Sequence, residues 1–396
     1  MDVPVSERAR LAVVVWSVLV SQTFLYPGLE DLIVALGAPG DIQAGMWFLV
    51  AEFAAFITCA VVWGALSDVS GRRTPFIAGG AAGGAACYAV LGWLAGDVRA
   101  PFLAVLAVRT LQGAATIAAF SLSMTMLMDL GGGHGKNMGA AGIAIGSGTA
   151  LGAPLGGQLY EVATPLPLYV AGALLLAVAA LALVIDDRAP AGDERTLAAA
   201  LTGIRRTPTL SIPYTFGFVD RMTAGFFALV GTLYFREAFG LGPGETGIML
   251  ALFFAPFALL QYPFGTLSDR IGRTVPIVAG SLLYGLAVIA VGLAQTVTGA
   301  GAGMVATGVI GALMAPATMA LVTDIAATDQ RGAAMGGFNV FGSLGFLTGF
   351  LVGGLVVESA NYLTAFLVVG GLELAIALVA LPAVRRVAPR AGEQPS

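Results

Sequence analysis

The sequence predicts an all-α membrane protein of twelve transmembrane helices in two related halves, and three observations predict it. Hydrophobic residues make up 58% of the 396 residues and charged residues 11%, with a mean hydropathy of +0.89. A soluble domain carries roughly 25% charge. Apolar stretches of about 20 residues, each long enough to cross a bilayer as a helix, recur along the whole length. Helices follow from this, because backbone polar groups in lipid must be paired within the element. Second, the charged hinge GALSDVSGRR at Gly64 to Arg73 returns as GTLSDRIGRT at Gly265 to Thr274, 201 residues on. Third, the basic residues gather on one side of the twelve predicted spans.

Taken in order, the spans run over about 11–30, 43–64, 75–95, 101–124, 138–160 and 166–185, then 210–235, 244–265, 275–294, 299–322, 333–356 and 361–382. The first closes on FLYPGLEDL, the second carries Glu52, and the first charged hinge separates the second from the third. RTLQG lies in the fourth, a glycine-rich run fills the fifth, and the sixth ends at the polar segment Asp186 to Pro208. That segment divides the chain six plus six, into 1–185, a linker 186–209, and 210–396. The seventh span carries Asp220 and Arg221, the second hinge follows the eighth, and the twelfth contains Glu373. Many Gly and Ala residues suit helices that approach closely through small side chains.

With twelve spans, fifteen basic residues fall on the side of the termini: Arg8, Arg10, Arg72, Arg73, Lys136, Arg188, Arg195, Arg205, Arg206, Arg270, Arg273, Arg331, Arg385, Arg386 and Arg390. Only Arg99 and Arg236 fall on the other side, and Arg109 and Arg221 lie within spans. That asymmetry places both termini and the linker in the cytoplasm. The expected location is the cytoplasmic membrane of a bacterium or archaeon. An odd span count puts part of the basic set on the wrong side.

Several function classes are excluded. No nucleic-acid motif, Walker sequence or dinucleotide fingerprint occurs. The Gly131 to His134 run lacks the Gly-Lys-Ser/Thr ending that phosphate binding needs and reads as a flexible turn. His134 is the only histidine, so no metal site or triad is assigned, and Cys59 and Cys87 read as small buried hydrophobes. An enzyme needs a clustered nucleophile, acid–base pair or metal-ligand set, and none is present. No cofactor is expected beyond protons as the coupling ion.

The repeated hinge, Gly64, Asp68, Gly71, Arg72 and Arg73 in the first half and Gly265, Asp269, Arg270, Gly272 and Arg273 in the second, resembles the signature of the major facilitator superfamily. Thr274 stands where that family often has another basic residue. FLYPGLEDL, with Pro27 retained and Glu30 where another proline is common, looks like the family's first-span ending, and Arg109 to Gly113 looks like its fourth-span motif. The fifth span's Gly142, Gly146, Gly152, Pro154, Gly156 and Gly157 resemble the glycine motif of its exporter branches, with Ala153 where Gly is usual. The resemblance covers Leu11 to about Pro382 and is nearest to the twelve-span proton-exchanging drug or metabolite efflux families. It implies two pseudo-symmetric six-helix bundles (the major facilitator fold), rocking about a cavity lined by spans 1, 4, 7 and 10, and a monomer.

Each deep polar residue has a role to weigh. The hinge residues are either a latch, ion-paired in one conformation and so biasing a two-state equilibrium, or a solvated turn that fixes topology. Gly64, Gly71, Gly265 and Gly272 are expected at tight turns or close approaches. Arg109, a permanent charge within the fourth span, faces water or a paired acceptor unless it snorkels. The family motif implies a part in proton coupling, with Gln112 and Gly113 on the same helical face. Glu52, near the middle of the second span, suits a proton carrier or an acid fixing a helix contact. Asp220 is the second proton candidate and Arg221 an anion anchor or its electrostatic partner. Gln112, Phe216 and Tyr26 are further cavity candidates, and Tyr26 and Trp47 also suit the outer interface. Glu373 reads as a packing residue or a neutral acid, on a helix the family places peripherally. Glu30 and Asp31 gather cations at the outer mouth or are simply solvated.

The function expected is a proton-coupled antiporter, surrounded by membrane lipid, that exports a small organic or amphipathic compound by alternating access. The alternative is an uptake symporter or facilitator for a small metabolite, with anionic ones included.

Overall fold

The computed structural model describes residues 5–96, 100–130, 134–187, 207–327 and 330–387. The turn residues 131–133, linker residues 188–206, Arg99 and Arg390 lie outside the described residues, as does the side chain of His134. All regular elements among the described residues are helical. In the first half they are α1 (Val5–Thr23), α2 (Leu29–Ala35), α3 (Ile42–Ser70), α4 (Thr74–Gly96), α5 (Phe102–Asp129), α6 (His134–Val162) and α7 (Leu166–Ala182). The second half has α8 (Ser211–Phe226), α9 (Thr232–Phe239), α10 (Pro243–Ile271), α11 (Thr274–Gly292), α12 (Val297–Ile325), α13 (Arg331–Ser359) and α14 (Tyr362–Val387).

The expected spans overlap helices, the first of them broken over residues 24–28. Among the described residues, nine helices are long and apolar enough to cross a membrane, and α7 is a shorter apolar one. The two others are α1, which carries Glu7, Arg8 and Arg10 near its start, and the glycine-rich α6. Apolar side chains such as Leu103, Leu259, Tyr262 and Val379 stand exposed on the helices, an outer surface suited to lipid rather than water.

Two spans depart from the continuous helices expected. The first breaks after Thr23, where Phe24, Leu25 and Tyr26 make successively longer backbone bonds of 3.0, 3.3 and 3.4 Å, and α2 resumes at Leu29. Pro27 sits in the break and has no N–H with which to continue the ladder. The seventh is a 3₁₀ turn at Pro208–Leu210, then α8, then a π-helical turn at Phe227–Gly231, then α9. Such π turns mark places where a helix has been re-aimed, frequently at functional sites.

The chain divides into two compact units, Met1–Glu194 with Gly240–Ala251, and Arg195–Phe239 with Leu252–Ser396. In the first, α1 packs on α5, α6 and α7, α3 on α5, and α4 on α5 and α7. In the second, α8 packs on α12, α13 and α14, and α11 on α12 and α14. Small residues set the closest crossings. A side-chain carbon at Gly113 of α5 would strike the backbone of Glu52 on α3, and one at Gly308 of α12 would strike the backbone of Phe253 on α10. Phe253 is the residue 201 positions after Glu52, so one crossing is built twice.

Candidate functional site: buried charges and the paired hinges

The first unit holds a buried ion pair. Glu52 on α3 and Arg109 on α5 both have no exposure, and a guanidinium nitrogen of Arg109 donates to the Glu52 carboxylate. Arg109 also donates to the side-chain oxygen of Gln112, whose amide donates to Thr116 Oγ1 at 3.3 Å. The guanidinium carbon lies 4.6 Å from the Phe48 ring centroid and 5.8 Å from that of Tyr88. The Tyr88 hydroxyl in turn donates to the Ser21 carbonyl at 3.0 Å. Gln22 of α1 lies near the Glu52 carboxylate. Two opposite charges, a ring on the cation and the Gln112 amide that accepts from it make burial tolerable where an isolated charge is not.

Sequence reasoning named Glu52, Arg109 and Gln112 separately and left open whether Arg109 snorkels; the geometry joins them and leaves Arg109 sealed from the surface. It missed Gln22, Phe48 and Tyr88. Depth gives the signal for the pair. Glu52 lies ten residues past the start of α3 and Arg109 seven past the start of α5, and on the expected topology both helices start from the outer face. Tyr26, expected at the outer interface or the cavity, is instead 2% exposed and within electrostatic reach of this pair.

The repeated hinges are ion-paired networks, one in each unit. In the first, Arg73 reaches Asp129 at the end of α5 at 2.7 Å and Asp68 at 3.9 Å, while Arg72 is exposed. The backbone N–H groups of Arg73 and Thr74 donate to the Asp187 carboxylate at 2.9 and 3.3 Å. That carboxylate thereby caps the N-terminus of α4, where the helix dipole favours negative charge. In the second, Arg273 reaches Asp269 at 2.5 Å, Ser268 at 3.0 Å and Asp324 of α12 at 3.1 Å, and Arg270 is exposed. Asp129, Asp187 and Asp324 were not singled out in the sequence, because each lies far from the hinge along the chain.

Of the hinge glycines, Gly71 and Gly272 have φ of +63° and +85° and make the turns that only glycine makes freely. Gly64 and Gly265 do not share that role. A side-chain carbon at Gly64 meets nothing within 4 Å, and one at Gly265 makes only ordinary contact with Pro316 at 3.6 Å. The expectation of a tight turn or close approach at these two is corrected.

In α6, Gly152 lies against Thr23 and Gly156 against the Phe24 backbone of the first span, whereas Gly142 faces no neighbour within 4 Å. Gly146 accepts from Thr149 at 3.1 Å, and Pro154 lies inside the helix. Gly157 meets Pro243 and Gly244, and the Gly244 N–H donates to Glu161 at 3.0 Å, all within the first unit.

In the second unit Asp220 is 9% exposed on α8. Arg221 turns towards α13, where it donates to Asn339 at 3.2 Å and lies 5.6 Å from the Phe338 ring. Phe216, expected to line a cavity, is 1% exposed in a core cluster with Ile277, Ala317 and Leu321. Glu373 has no exposure and accepts from Ser281 of α11 at 2.6 Å. Among the described residues there is no cluster able to hold a metal ion.

An apolar helical body with ionisable groups buried inside it is the makeup of a membrane transporter. The chain matches the family model described as Major Facilitator Superfamily over residues 11–220 and 214–396, and it belongs to that family. It is 29% identical over 166 residues to an uncharacterised MFS-type transporter of Methanocaldococcus jannaschii, covering 41% of this chain and 42% of that one. Over 131 residues it is 33% identical to the quinolone resistance protein NorA of Staphylococcus aureus, covering 30% of this chain and 31% of NorA. The chain thus matches less than half the length of these relatives. Its fold is that of a bacterial homologue of the human lysosomal transporter Spinster (TM-score 0.78, 14% identity, 98% of each chain). A D-xylose-proton symporter is similar at TM-score 0.75 and 14% identity, over 98% of this chain and 99% of that one.

Proposed function

We propose that this protein is a proton-coupled antiporter that exports a small organic or amphipathic compound across a bacterial or archaeal cytoplasmic membrane by alternating access. The observation that carries the coupling is the set of buried ionisable groups, the Glu52–Arg109 ion pair in one unit and, separately, Asp220 and Glu373 in the other. Ionisable residues within spans are costly and mark ion or substrate pathways. Export is supported by the glycine face of α6 at Gly152, Gly156 and Gly157, which holds neighbouring backbone at close range, and by the local similarity to a quinolone resistance protein.

In this reading proton binding removes a buried charge and changes which closed arrangement has the lower energy, and the hinge networks at Arg73 and Arg273 form in one arrangement and release in the other. Both termini face the cytoplasm, the halves 1–185 and 210–396 move about the linker, and the monomer is the working unit. The test is direction: everted vesicles with an acidic interior accumulate the compound if it exchanges for protons. A second reading, an uptake symporter for a small anionic metabolite, is favoured by Arg221, the deep cation of the second unit that is only partly buried. A symporter moves the compound out of those vesicles with the protons.

A further inference from the structure

We infer that Arg221 and Asn339 form a binding site for a singly charged carboxylate, so that the compound this protein moves is an organic acid carried as its anion. The inference rests on the transport reading for its role and holds for either direction of transport.

The site is assembled where α8 crosses α13. Gly345 and Gly349 of α13 lie against the carbonyls of Phe218 and Met222, and Gly225 of α8 lies against that of Phe346. Gly342 of α13 lies under the Arg221 side chain, where a side-chain carbon would stand 2.6 Å from Cδ and 2.9 Å from Nη1. The bare glycine therefore lets the guanidinium lie across α13. There Nη2 donates to Asn339 Oδ1 at 3.2 Å, and the guanidinium carbon stands 5.6 Å from the Phe338 ring centroid.

What this cation lacks is an anion. Arg73, Arg109 and Arg273 each hold a carboxylate. Among the described residues Arg221 has only a neutral amide and a ring as contacts, and no ion pair. Asp220 is adjacent in sequence, but consecutive helical positions diverge by about 100°, and the two side chains are not ion-paired. A guanidinium presents a planar fork of N–H donors that matches a carboxylate. One of those donors is used on Asn339, and the Asn339 amide nitrogen, on an exposed residue, adds another.

Depth makes the open cation meaningful. Arg221 lies ten residues past the start of α8 and Asn339 eight past the start of α13, which is about 15 and 12 Å along the axes. On the expected topology both helices start from the cytoplasmic face, so the pair stands well inside the bilayer. A partly exposed charge at that depth faces water rather than lipid. The open stripe of α8 agrees: Ser211 and Thr215 are exposed, and Phe218 and Arg221 are partly so. Phe218, one turn before Arg221 on that face, offers a ring to an apolar body attached to the carboxylate. The other basic residue of α13, Arg331, is at its first position, so one positive charge is on offer and a single negative charge satisfies it.

Nor does the crossing need a cation to pack. In the first unit Gly148 of α6 lies against the Trp16 carbonyl of α1, and apolar Leu19 stands three residues past Trp16 as Arg221 stands three past Phe218.

The test is thermal unfolding of the purified full-length protein in detergent, with benzoate replacing chloride at constant ionic strength and no gradient. Benzoate is expected to raise the melting temperature, and benzyl alcohol at the same concentration is not. Arg221→Gln abolishes the shift. Gly342→Ala, which keeps the arginine but puts a methyl group in its place, raises the half-effective benzoate concentration at least tenfold. Arg385→Gln, at an exposed arginine near the end of α14, leaves the shift intact. If Arg221→Gln does not fold, Gly342→Ala decides. No shift in the wild type, an equal shift with benzyl alcohol, or a shift unchanged in Arg221→Gln or Gly342→Ala overturns the site. If benzoate behaves as expected while transport ignores a proton gradient, proton coupling fails and this site stands; proton-driven transport without the benzoate effect sinks the site alone.

Discussion

Glu52 and Arg109 form an ion pair in which neither side chain has any exposure to solvent. The same crossing in the second unit is apolar: Phe253 stands in the repeat position of Glu52, and Met304 stands four positions before Gly308 as Arg109 stands before Gly113.

 Breaking a buried pair by removing one partner costs about 3–5 kcal/mol, while replacing both by apolar residues is often neutral. Glu52→Gln alone is therefore expected to lower thermal stability sharply, and Glu52→Phe with Arg109→Met to recover most of the loss. The double variant is also expected to lose proton-driven transport. Full transport by that variant, measured in vesicles, assigns the pair to structure alone.

Arg73 and Arg72 are expected to differ although they are adjacent. Arg73→Ala removes the ion pairs to Asp129 and Asp68, and hydrogen bonds to charged groups are worth about 1.5–3 kcal/mol. Arg72→Ala removes an exposed side chain and stays within about 0.5 kcal/mol. Thermal unfolding of the two variants in detergent checks the order, and equal losses refute the assignment. The same order is expected for Arg273→Ala over Arg270→Ala.

These hinges show how far the residues alone could be read. The repeat, its glycine turns at Gly71 and Gly272 and the helical spans are local patterns, written in consecutive residues, and were legible. Which arginine pairs with which acid was not. The repeat offset aligns Arg273 with Arg72, yet Arg73 makes the ion pairs of the first unit. Asp129, Asp187 and Asp324 arrive from helix ends or segments distant in sequence, so no spacing rule finds them. Glu373 was read as a packing residue or a neutral acid; its partner Ser281, met at the Gly285–Gly370 crossing, was not named, because no spacing announces it. The break at Pro27 was signalled by the proline itself, whereas the π turn at Phe227–Gly231 has no cue in composition.

Glycines of α6 give a contrast in sign. A side-chain carbon at Gly156 strikes the Phe24 backbone, whereas Gly142 faces open space. Gly156→Ala is expected to destabilise by about 1–3 kcal/mol through overpacking. Gly142→Ala is expected to be neutral or to stabilise by about 0.5–1 kcal/mol, because alanine is the better helix former. Melting temperatures of the two variants decide it, and a loss at Gly142 equal to that at Gly156 removes the packing explanation.

Proton exchange as the driving force for export is tested most directly in everted vesicles containing the protein. The compound used is one that raises the protein's melting temperature. With the vesicle interior made acidic, the account predicts accumulation of that compound, abolished by a protonophore and by Asp220→Asn. Efflux of the compound together with protons, or movement indifferent to the gradient, contradicts it.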